Sequence, residues 1–364
     1  MSTHVHPPVT PVGPRRGAVR VTSPAPREVW AEVLASDPLA LPTQTPAWTD
    51  WLCGTRGFTD RSRLYEFDDG RRLVLPLVAR TRAGLVLSEE SMPYGFGYGG
   101  PLVAGCPVTG SEAEAVLADL AGRRVLRSTL TPNPLTAGVW AATAPPGTVR
   151  VPFLCHVLDL AGGFPAVWST RFRPDVRRKV RRAERQPLDV RLSTGARLVE
   201  TFTALNRRTV DRWAEQRGRP PWIERLVERR RDRAGQLASA LPALGAAVTG
   251  WTAHLDGEPV AAYVVLRAGE QAYFWMSAMD RELAGQTQAG ALLQSLAIEE
   301  ACRGGARWFH LGESDPGSGV ARFKAGFGAA AIRYEALRFE RLPLTAADER
   351  MRAVAARATG NRPV

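Results

Sequence analysis

Lysine is almost absent from this chain of 364 residues. Of its 48 basic residues, Lys179 and Lys324 are the two lysines, and the other 46 are arginine. This bias is typical of a GC-rich genome, in which arginine fills positions where any cation suffices. A surviving lysine therefore marks a candidate for chemistry that guanidinium performs poorly, because an ammonium is compact and shifts its pKa on burial. The alternative interpretation is chance codon use.

Other absences exclude further classes of protein. The four cysteines and five histidines are scattered, without a CxxC pair or a metal-ligand spacing, so we expect reduced thiols and no metal site. The first 26 residues are proline-rich and lack the apolar stretch of a signal peptide. No run of the sequence approaches the roughly 18 apolar residues of a membrane span. We therefore expect a soluble, cytoplasmic protein.

The residues that are present favour a folded protein with an anionic partner. Hydrophobic residues make up 45% of the chain, and ten tryptophans are available for a core. The net charge of +12 favours RNA, a nucleotide, CoA or an acidic lipid head group. The arginine bias alone would also produce this charge, so the charge does not name the partner.

The order of turn signals and periodic segments predicts two α/β units of similar plan. We expect a disordered arm over 1–26, a first domain over 27–150, a second domain over 151–345 and a C-terminal tail over 346–364. In each half, strands joined by hairpin turns lie between helices. A loop is expected over 132–149. Helices are expected over 174–186, 196–216, 220–240 and 285–303.

Several segments resemble the FemABX-type aminoacyltransferases. The strand segment 308–314, Trp-Phe-His-Leu-Gly-Glu-Ser, precedes 319–328, which contains Phe-Lys-Ala-Gly-Phe-Gly. The basic segment 177–183, the Tyr-Gly-Gly-Pro turn at 98–101 and the Gln-Thr-Pro-Ala-Trp segment at 44–48 are similar to other pieces of that family. The likeness runs in order over roughly 40–340, and its specific part is Phe-Lys-x-Gly-Phe-Gly.

The resemblance implies an α/β (α+β) fold of two tandem GNAT-like domains, related to the GCN5 acetyltransferases. Each domain would have a mixed, mostly antiparallel sheet flanked by helices. The implied enzyme moves an amino acid from aminoacyl-tRNA to an amine, forming an amide without ATP or metal, on a small metabolite or a peptidoglycan-type precursor. The expected partners are aminoacyl-tRNA, as co-substrate, and an amine-bearing small molecule, and no cofactor is expected.

The resemblance gives Lys324, with Phe323 beside it, the role of meeting the charge that develops during acyl transfer. A lysine at a helix start, among glycines that let backbone amides approach, suits an oxyanion site. Its ammonium can also give a proton to the departing ribose oxygen. Glu313 and Asp315 follow the strand and are candidate bases for the attacking amine, with helix capping and surface solvation as the alternatives. His310 is expected inside the strand, as a core or lining residue.

The helix predicted at 174–186 is the candidate phosphate site. Asp175 and Glu184 are its carboxylates, and its other charges are all positive. A solvated face is the common alternative, but charge of nearly one sign favours an anionic ligand. The stripe expected to be buried consists of Val176, Val180 and Ala183. The predicted tRNA-binding residues are Arg177, Arg178, Lys179, Arg181, Arg182 and Arg185.

Aromatic residues and glycines supply the candidate substrate site. The loop 94–100 fits a substrate cleft and equally fits a tight hairpin whose glycines serve backbone geometry alone. Four aromatic residues of the second half fit either the lining of a pocket or the hydrophobic core, and the core is favoured. They are Trp213, Tyr263, Tyr273 and Trp275. The candidate substrate-binding residues are Tyr94, Tyr98, Gly99, Gly100, Tyr263 and Trp275.

Two other functions remain open. An acyl-CoA-dependent GNAT N-acyltransferase would use a Q/R-x-x-G-x-G/A turn whose amides hold the CoA pyrophosphate at a helix start. In the expected segment 285–291, Thr287 stands three residues before Gly290, where Gln or Arg is required, and this lowers the CoA alternative. An RNA-binding module would explain the charge but not the Phe-Lys-Ala-Gly-Phe-Gly segment, and it ranks last.

Overall fold

The computed structural model describes residues 19–82, 85–216, 222 and 232–358. The first half contains strands β1 to β8 and helices α1 to α4. In chain order these are β1 (Val19–Thr22), α1 (Arg27–Ser36), α2 (Pro46–Arg56), β2 (Phe58–Asp60), β3 (Arg63–Phe67), β4 (Arg72–Leu75), β5 (Val78–Arg82), β6 (Leu85–Glu90), β7 (Leu102–Val103), α3 (Gly110–Gly122), β8 (Arg127–Leu130) and α4 (Ala137–Thr143).

The second half contains strands β9 to β15 and helices α5 to α12. In chain order these are β9 (Val149–Asp159), α5 (Gly163–Ala166), α6 (Pro174–Glu184), β10 (Leu188–Ser193), α7 (Ala196–Gln216), α8 (Arg233–Leu244), β11 (Val248–Leu255), β12 (Glu258–Ala268), β13 (Gln271–Met279), α9 (Arg281–Thr287), α10 (Ala289–Arg303), β14 (Trp308–Glu313), α11 (Gly319–Gly326), β15 (Ala330–Glu340) and α12 (Leu344–Ala358).

One large sheet runs through both halves. Within the described residues it has eleven strands in the order β10-β11-β12-β13-β14-β9-β15-β8-β6-β5-β2. The pairs β13–β14 and β6–β8 are parallel, and the other described pairs are antiparallel. A four-stranded sheet, β1-β3-β4-β7, accompanies it in the first half. The expected mixed, mostly antiparallel α/β fold is confirmed.

Strand β9 carries the sheet across the middle of the chain. It starts at Val149, just before the boundary predicted between 150 and 151, and pairs with β15 along its length. Strand β15 in turn pairs with β8 of the first half through Leu337↔Leu130 and its neighbours. The two halves therefore share a continuous sheet, and the position of a boundary between them stays a prediction.

A cluster of aromatic rings packs the first half against β13. The Trp48 and Trp51 rings of α2 lie 5.4 and 5.7 Å from the Trp275 ring on β13. Phe96, from the loop after β6, lies 5.9 Å from Trp51. Such pairs add about 0.5–1.5 kcal/mol each beyond their buried area. The cluster therefore fixes loop 92–101 beside β13.

Helix α6 forms as its sequence predicts. Pro174 occupies its first turn, where a missing N–H costs nothing, and the helix ends before Pro187. Val176, Val180 and Ala183 are 4%, 1% and 1% exposed, which confirms the buried stripe. They join a core cluster with residues of α10 and β14, so the basic face of α6 points away from the sheet.

Both ends of the chain contain more structure than expected. Strand β1 pairs with β3 through Val19↔Phe67 to Thr22↔Leu64, so the predicted arm is wrong for 19–22, while 1–18 lie outside the described residues. Of the residues assigned to the C-terminal tail, 346–358 belong to helix α12 (Leu344–Ala358), and 359–364 lie outside the described residues. Thr345 binds the Glu340 carboxylate and fixes the start of that helix.

Three interior predictions also need correction. The loop expected at 132–149 contains α4, which forms because Trp140 is 1% exposed in the core of the first half. The helix expected at 285–303 is divided into α9 and α10 at Gln288, whose φ is 59°. Of the helix expected at 220–240, α8 covers the end, and 217–221 and 223–231 lie outside the described residues.

Candidate active site

Strands β13 and β14 separate after a short parallel pairing, and this separation opens the site. They pair from Gln271↔Trp308 to Tyr273↔His310. Beyond this point β13 bulges against β12 at Trp275, and the register of β14 against β9 shifts between His310 and Gly312. Gly312 has a φ of 79°, which a residue without Cβ adopts without strain.

A cavity of about 780 Å³ lies beside this separation. The second half contributes 273–275 and 311–313, and the first half contributes loop 92–97 together with residues of β6 and β8. Strand β15 and the first two turns of α12 complete its wall. The cavity is therefore built from both halves of the chain, with Lys324 among its lining residues.

Lys324 is buried in the wall of this cavity, with 6% of its surface exposed. Its Nζ donates a hydrogen bond to the main-chain oxygen of Glu313 at 2.6 Å. Burial lowers the pKa of Lys324 to about 8, and the nearby Glu313 opposes this shift. Lys324 lies in the last turn of α11, so its expected position at a helix start is wrong.

Glu313 presents its carboxylate to the same cavity. The Tyr334 hydroxyl, from β15, donates a hydrogen bond to Oε1 of Glu313. The surrounding protein raises the pKa of Glu313 by desolvation, while the Tyr334 hydrogen bond and the Lys324 charge act against this rise. Glu313 faces open cavity space and is exposed there. A carboxylate so placed can accept a proton from a bound amine.

The structure does not bring Asp315 and Phe323 to this cavity. Asp315 is exposed in the turn after β14, where its main-chain oxygen accepts a hydrogen bond from Ser318. Phe323 packs its ring 5.1 Å from Phe327 and lines a separate groove. His310 is fully buried in β14, as expected, with Nε2 2.9 Å from Oε1 of Gln271.

Two of the six candidate substrate-binding residues line the cavity. Tyr94 is 84% exposed on it, and Trp275 is 9% exposed in its wall. Tyr98 is buried behind the cavity, with its ring 5.3 Å from that of Tyr273. Tyr263 is buried and packs its hydroxyl over Gly290, away from the cavity.

Gly99 and Gly100 shape the backbone of the loop and do not line the cavity. A Cβ on Gly99 would lie 2.6 Å from the Ser91 carbonyl oxygen. Gly100 has a φ of 86°, and a Cβ on it would lie 3.0 Å from the Pro132 Cα. The turn-geometry interpretation is therefore the one that the contacts support for these two glycines.

Sequence reasoning missed several residues of the cavity. Glu90 on β6, Thr129 on β8 and Arg338 on β15 line it, and Tyr334 holds the carboxylate of Glu313. A charged residue within a half-buried strand can indicate a binding site, and Glu90 and Arg338 both show this feature in the sequence. These residues come together because strands that are far apart in sequence pair with one another. No local sequence pattern predicts this pairing.

A second concavity, which we call the basic groove, lies between α6 and α11. Its volume is about 470 Å³, and Arg173, Lys179, Arg322 and Phe323 are among its lining residues. Lys179 is half exposed and lies 3.6 Å from Asp175. Phe323 and Lys324 are consecutive in α11, yet Phe323 lines the basic groove and Lys324 lines the cavity.

The remaining cations of α6 divide into two groups. Arg177 donates to the main-chain oxygens of Trp168 and Ser169, and Arg181 lies 5.9 Å from the Trp168 ring centroid. These two residues thus have partners within the fold. Arg178, Arg182 and Arg185 are exposed and lack a carboxylate partner among the described residues. Repulsion between these unneutralised charges favours binding of an anion.

The described part of the chain offers neither a metal-binding cluster nor a membrane span. Within 19–82, 85–216, 222 and 232–358, no three His, Cys, Asp or Glu side chains gather in an arrangement that would hold a metal ion. Over the same ranges, no helix combines the length and apolarity needed to span a bilayer.

Comparison with known proteins agrees with this geometry. Residues 170–325 match the family model described as "Acetyltransferase (GNAT) domain", and they include α6, the separated strands and Lys324. The whole fold is similar to a crystal structure of FemX, with a TM-score of 0.58 and 12% identity over 88% of this chain and 97% of that one. The family model thus matches the part of the chain that holds Lys324, and the likeness to FemX shows that the chain as a whole has the same fold.

A second similar fold is the C-terminal domain (DUF2156) of a putative lysylphosphatidylglycerol synthetase from Agrobacterium fabrum. Its TM-score is 0.51, with 12% identity over 91% of this chain and 96% of that one. A search of curated proteins found no match. At 12% identity the structural likeness shows the fold and not the substrates.

Proposed function

We propose that this GNAT-like acyltransferase moves an aminoacyl group from aminoacyl-tRNA to an amine of a small metabolite or a peptidoglycan-type precursor and forms an amide. The observation that carries the proposal is the buried Lys324 ammonium beside Glu313, in a cavity built by both halves of the chain. The fold of FemX, which the chain resembles, also supports it.

The chemistry needs one acceptor of a proton and one donor. The neutral amine attacks the ester carbonyl of the donor, the new C–N bond forms, and the Glu313 carboxylate takes the proton that the amine loses. The Lys324 ammonium stabilises the oxyanion of the tetrahedral intermediate and gives its proton to the departing ribose oxygen. With a pKa of about 8, Lys324 is mostly charged near neutral pH and still acidic enough to give up that proton.

Preorganised charge is the main catalytic resource in such a site. One donor aimed at an oxyanion typically contributes ~10²–10³ in rate. The Lys324 ammonium is held in place by the Glu313 carbonyl, so it loses little freedom when the intermediate forms. Burial of Lys324 in the cavity wall reduces the screening of its charge by water.

The basic groove is the place that we assign to the phosphates near the 3′ end of the tRNA. Arg173, Lys179 and Arg322 line it, and the unneutralised arginines of α6 extend its positive surface. Phe323 offers a ring on which a base can stack. Because α11 separates the groove from the cavity, an ester carried past this helix reaches Lys324.

Acyl-CoA-dependent N-acylation is the second candidate, and the match to an acetyltransferase domain model favours it. The start of α10, where the CoA pyrophosphate would bind, speaks against it. Ala289 and Ala291 are buried there, and the Tyr263 hydroxyl lies 3.1 Å from the position of a Cβ on Gly290. The first turn of α10 is therefore covered by protein and offers few amides to a phosphate.

A transfer assay with two donors distinguishes the candidates. The purified protein is incubated with a pool of candidate amines and either radiolabelled aminoacyl-tRNA or radiolabelled acetyl-CoA. We expect amide product from the charged tRNA, abolished by prior ribonuclease treatment and greatly reduced in Lys324→Met. Product from acetyl-CoA, with none from charged tRNA, would replace the proposal by the second candidate.

A further inference from the structure

We propose that the part of the cavity formed by β6, β8 and β15 binds a free amino-acid head group, an ammonium together with a carboxylate, on the amine that accepts the acyl group. The inference that this ligand is the acceptor of the acyl group rests on the proposed function. It goes beyond that function by naming the chemical class of the acceptor, a diamino acid whose α-ammonium and α-carboxylate are both free.

Three side chains form a row across this part of the sheet. Glu90 on β6 is in register with Thr129 on β8, and Thr129 is in register with Arg338 on β15. Residues directly opposite on adjacent strands share one face of the sheet, and strands lie about 4.8 Å apart, so the Cα atoms of Glu90 and Arg338 are roughly 10 Å apart. All three residues line the cavity.

Glu90 and Arg338 are incompletely paired. The Glu90 carboxylate accepts no hydrogen bond from the described residues, and desolvation raises its pKa, while nearby arginine charges oppose the rise. Arg338 donates from Nη1 to Thr345 at 2.9 Å, while its Nε is buried without a partner. A charged group removed from water without a partner costs free energy, which a ligand of complementary charge recovers.

Arg127, in the same wall, provides the contrast. It donates to Glu340 at 2.7 Å and to Asp348 at 3.1 Å, so its charge is already neutralised by the fold. Glu90 and Arg338 partly offset each other's charge, but the Glu90 carboxylate and Nε of Arg338 keep hydrogen-bonding capacity that a ligand can use. An α-ammonium suits the Glu90 carboxylate and an α-carboxylate suits the Arg338 guanidinium, and an amino-acid head group carries both on one α-carbon.

The strand β15 sets the distance from this head-group site to the reacting centre. Tyr334, which holds the Glu313 carboxylate, precedes Arg338 by four residues and lies on the same face. At about 3.3 Å per residue the two Cα atoms are about 13 Å apart. A ligand lying along β15 can therefore place its head group at Glu90 and Arg338 and a second amine toward Glu313. A diamino acid has these two ends.

Calorimetric titration of the full chain, without any donor, tests the head-group site with three probes. Lysine carries both charges of the head group, 1,5-diaminopentane lacks the carboxylate, and 6-aminohexanoate lacks the α-ammonium. We expect lysine to bind about tenfold or more tighter than either analogue, since a charge-assisted hydrogen bond contributes at least this factor. Arg338→Gln should abolish the advantage over diaminopentane, and Glu90→Gln should abolish the advantage over aminohexanoate.

Arg333→Gln is the matched control, because Arg333 is exposed on the same strand at an odd-numbered position, on the opposite face from Arg338. This variant should keep the preference for lysine. If Arg338→Gln does not fold, as judged by circular dichroism, Arg338→Met retains the aliphatic stem and takes its place. Equal binding of the three probes, or a preference for lysine that survives both cavity substitutions, would overturn the head-group site. Because no donor is present, this result is independent of whether charged tRNA supports transfer.

Discussion

The Lys324 ammonium donates to the main-chain carbonyl of Glu313 at 2.6 Å, while the carboxylate of the same Glu313 accepts from Tyr334. One residue therefore positions the proposed proton donor with its backbone and serves as the proposed proton acceptor with its side chain. A shift of β14 would displace both groups together. Substitutions at these residues and at the surfaces around them separate the two roles.

Replacing Lys324 with arginine should reduce kcat by ~10²–10³, the range typical for loss of one oxyanion donor. The charge is kept, but the planar guanidinium does not fit a buried position next to Gly312 and gives up its proton poorly. Initial-rate measurement on folded protein checks this. Arg333→Lys exchanges the same two residue types on the exposed surface and should keep normal turnover. Near-normal turnover of Lys324→Arg would show that the survival of this lysine reflects codon use.

The pH profile of kcat/KM should be bell-shaped. Lys324 must be charged, and its pKa is lowered to about 8, so the rate should fall as the pH rises through about 8. Glu313 must be ionised, and its pKa is raised above the ordinary value of 4.5, so the rate should fall on the acid side at a pH above that value. In Lys324→Arg the residual activity should lose its basic limb, because guanidinium stays charged. A basic limb that persists in this variant would assign the titration to another group.

Tyr334→Phe should shift the acid limb to higher pH. The lost hydroxyl donates to the Glu313 carboxylate and lowers the pKa of that group, so its removal lets the pKa rise further. We also expect a loss of about 1 kcal/mol in the free energy of unfolding. Tyr65→Phe is the control, because Tyr65 donates to Asp119 at 2.7 Å far from the cavity. Tyr65→Phe should lose stability without shifting the acid limb of the pH profile. If Tyr334→Phe also leaves the acid limb unchanged, Glu313 is not the base.

Gly312→Ala should impair both folding and turnover. An alanine at a φ of 79° is strained by roughly 1–2 kcal/mol, and its Cβ would lie 3.8 Å from Nζ of Lys324. Gly70→Ala is a matched control, with a φ of 82° and open space around the new Cβ. The two variants should lose similar stability in urea unfolding, but Gly312→Ala should also lose activity. Equal activity in the two variants would mean that the bend at Gly312 does not position Lys324.

Reversing charge at Arg178 and Arg182 should weaken binding of tRNA and flatten its dependence on salt. For each phosphate that the variant no longer neutralises, the slope of log K against log salt falls by roughly 0.7–0.9. Binding at several salt concentrations, by fluorescence anisotropy of labelled tRNA, measures the slope. Arg333→Glu carries the same charge change on another exposed surface. If it flattens the slope as much as the α6 variants do, the effect is one of net charge and α6 is a solvated face.

Local features of the sequence predicted many elements and pointed to two residues, Lys324 and Glu313, that line the cavity. Proline at the first turn, the apolar spacing of 176, 180 and 183, and the following Pro187 predicted α6 correctly. Helix α7 was predicted with the bounds that the structure gives, 196–216. Scarcity of lysine pointed to Lys324, and proximity to the strand end pointed to Glu313. Each of these sequence features lies within about one helical turn or one strand of the residue that it predicts. Inspection of the local sequence is therefore enough to find them.

The missed features depend on contacts between distant parts of the chain. The tail became α12 because Thr345 and Asp348 bind groups presented by β15 and β8, and 132–149 became partly helical because Trp140 entered the core. Tyr98 and Tyr263 were candidates for the substrate site by residue type, but packing buried them elsewhere. Residue type states what a side chain can do, and packing decides whether a ligand reaches it.

The sequence by itself determined the α/β class, the basic amphipathic helix and the two lysines that stand out among the arginines. The tertiary structure alone decided that Glu90, Thr129 and Arg338 share one row and that Tyr334 meets Glu313. The reason is strand register: a shift of one residue would turn Arg338 to the opposite face of the sheet. That register is set by the packing of the whole sheet, which joins strands from opposite halves of the chain, and no local stretch of the chain encodes it.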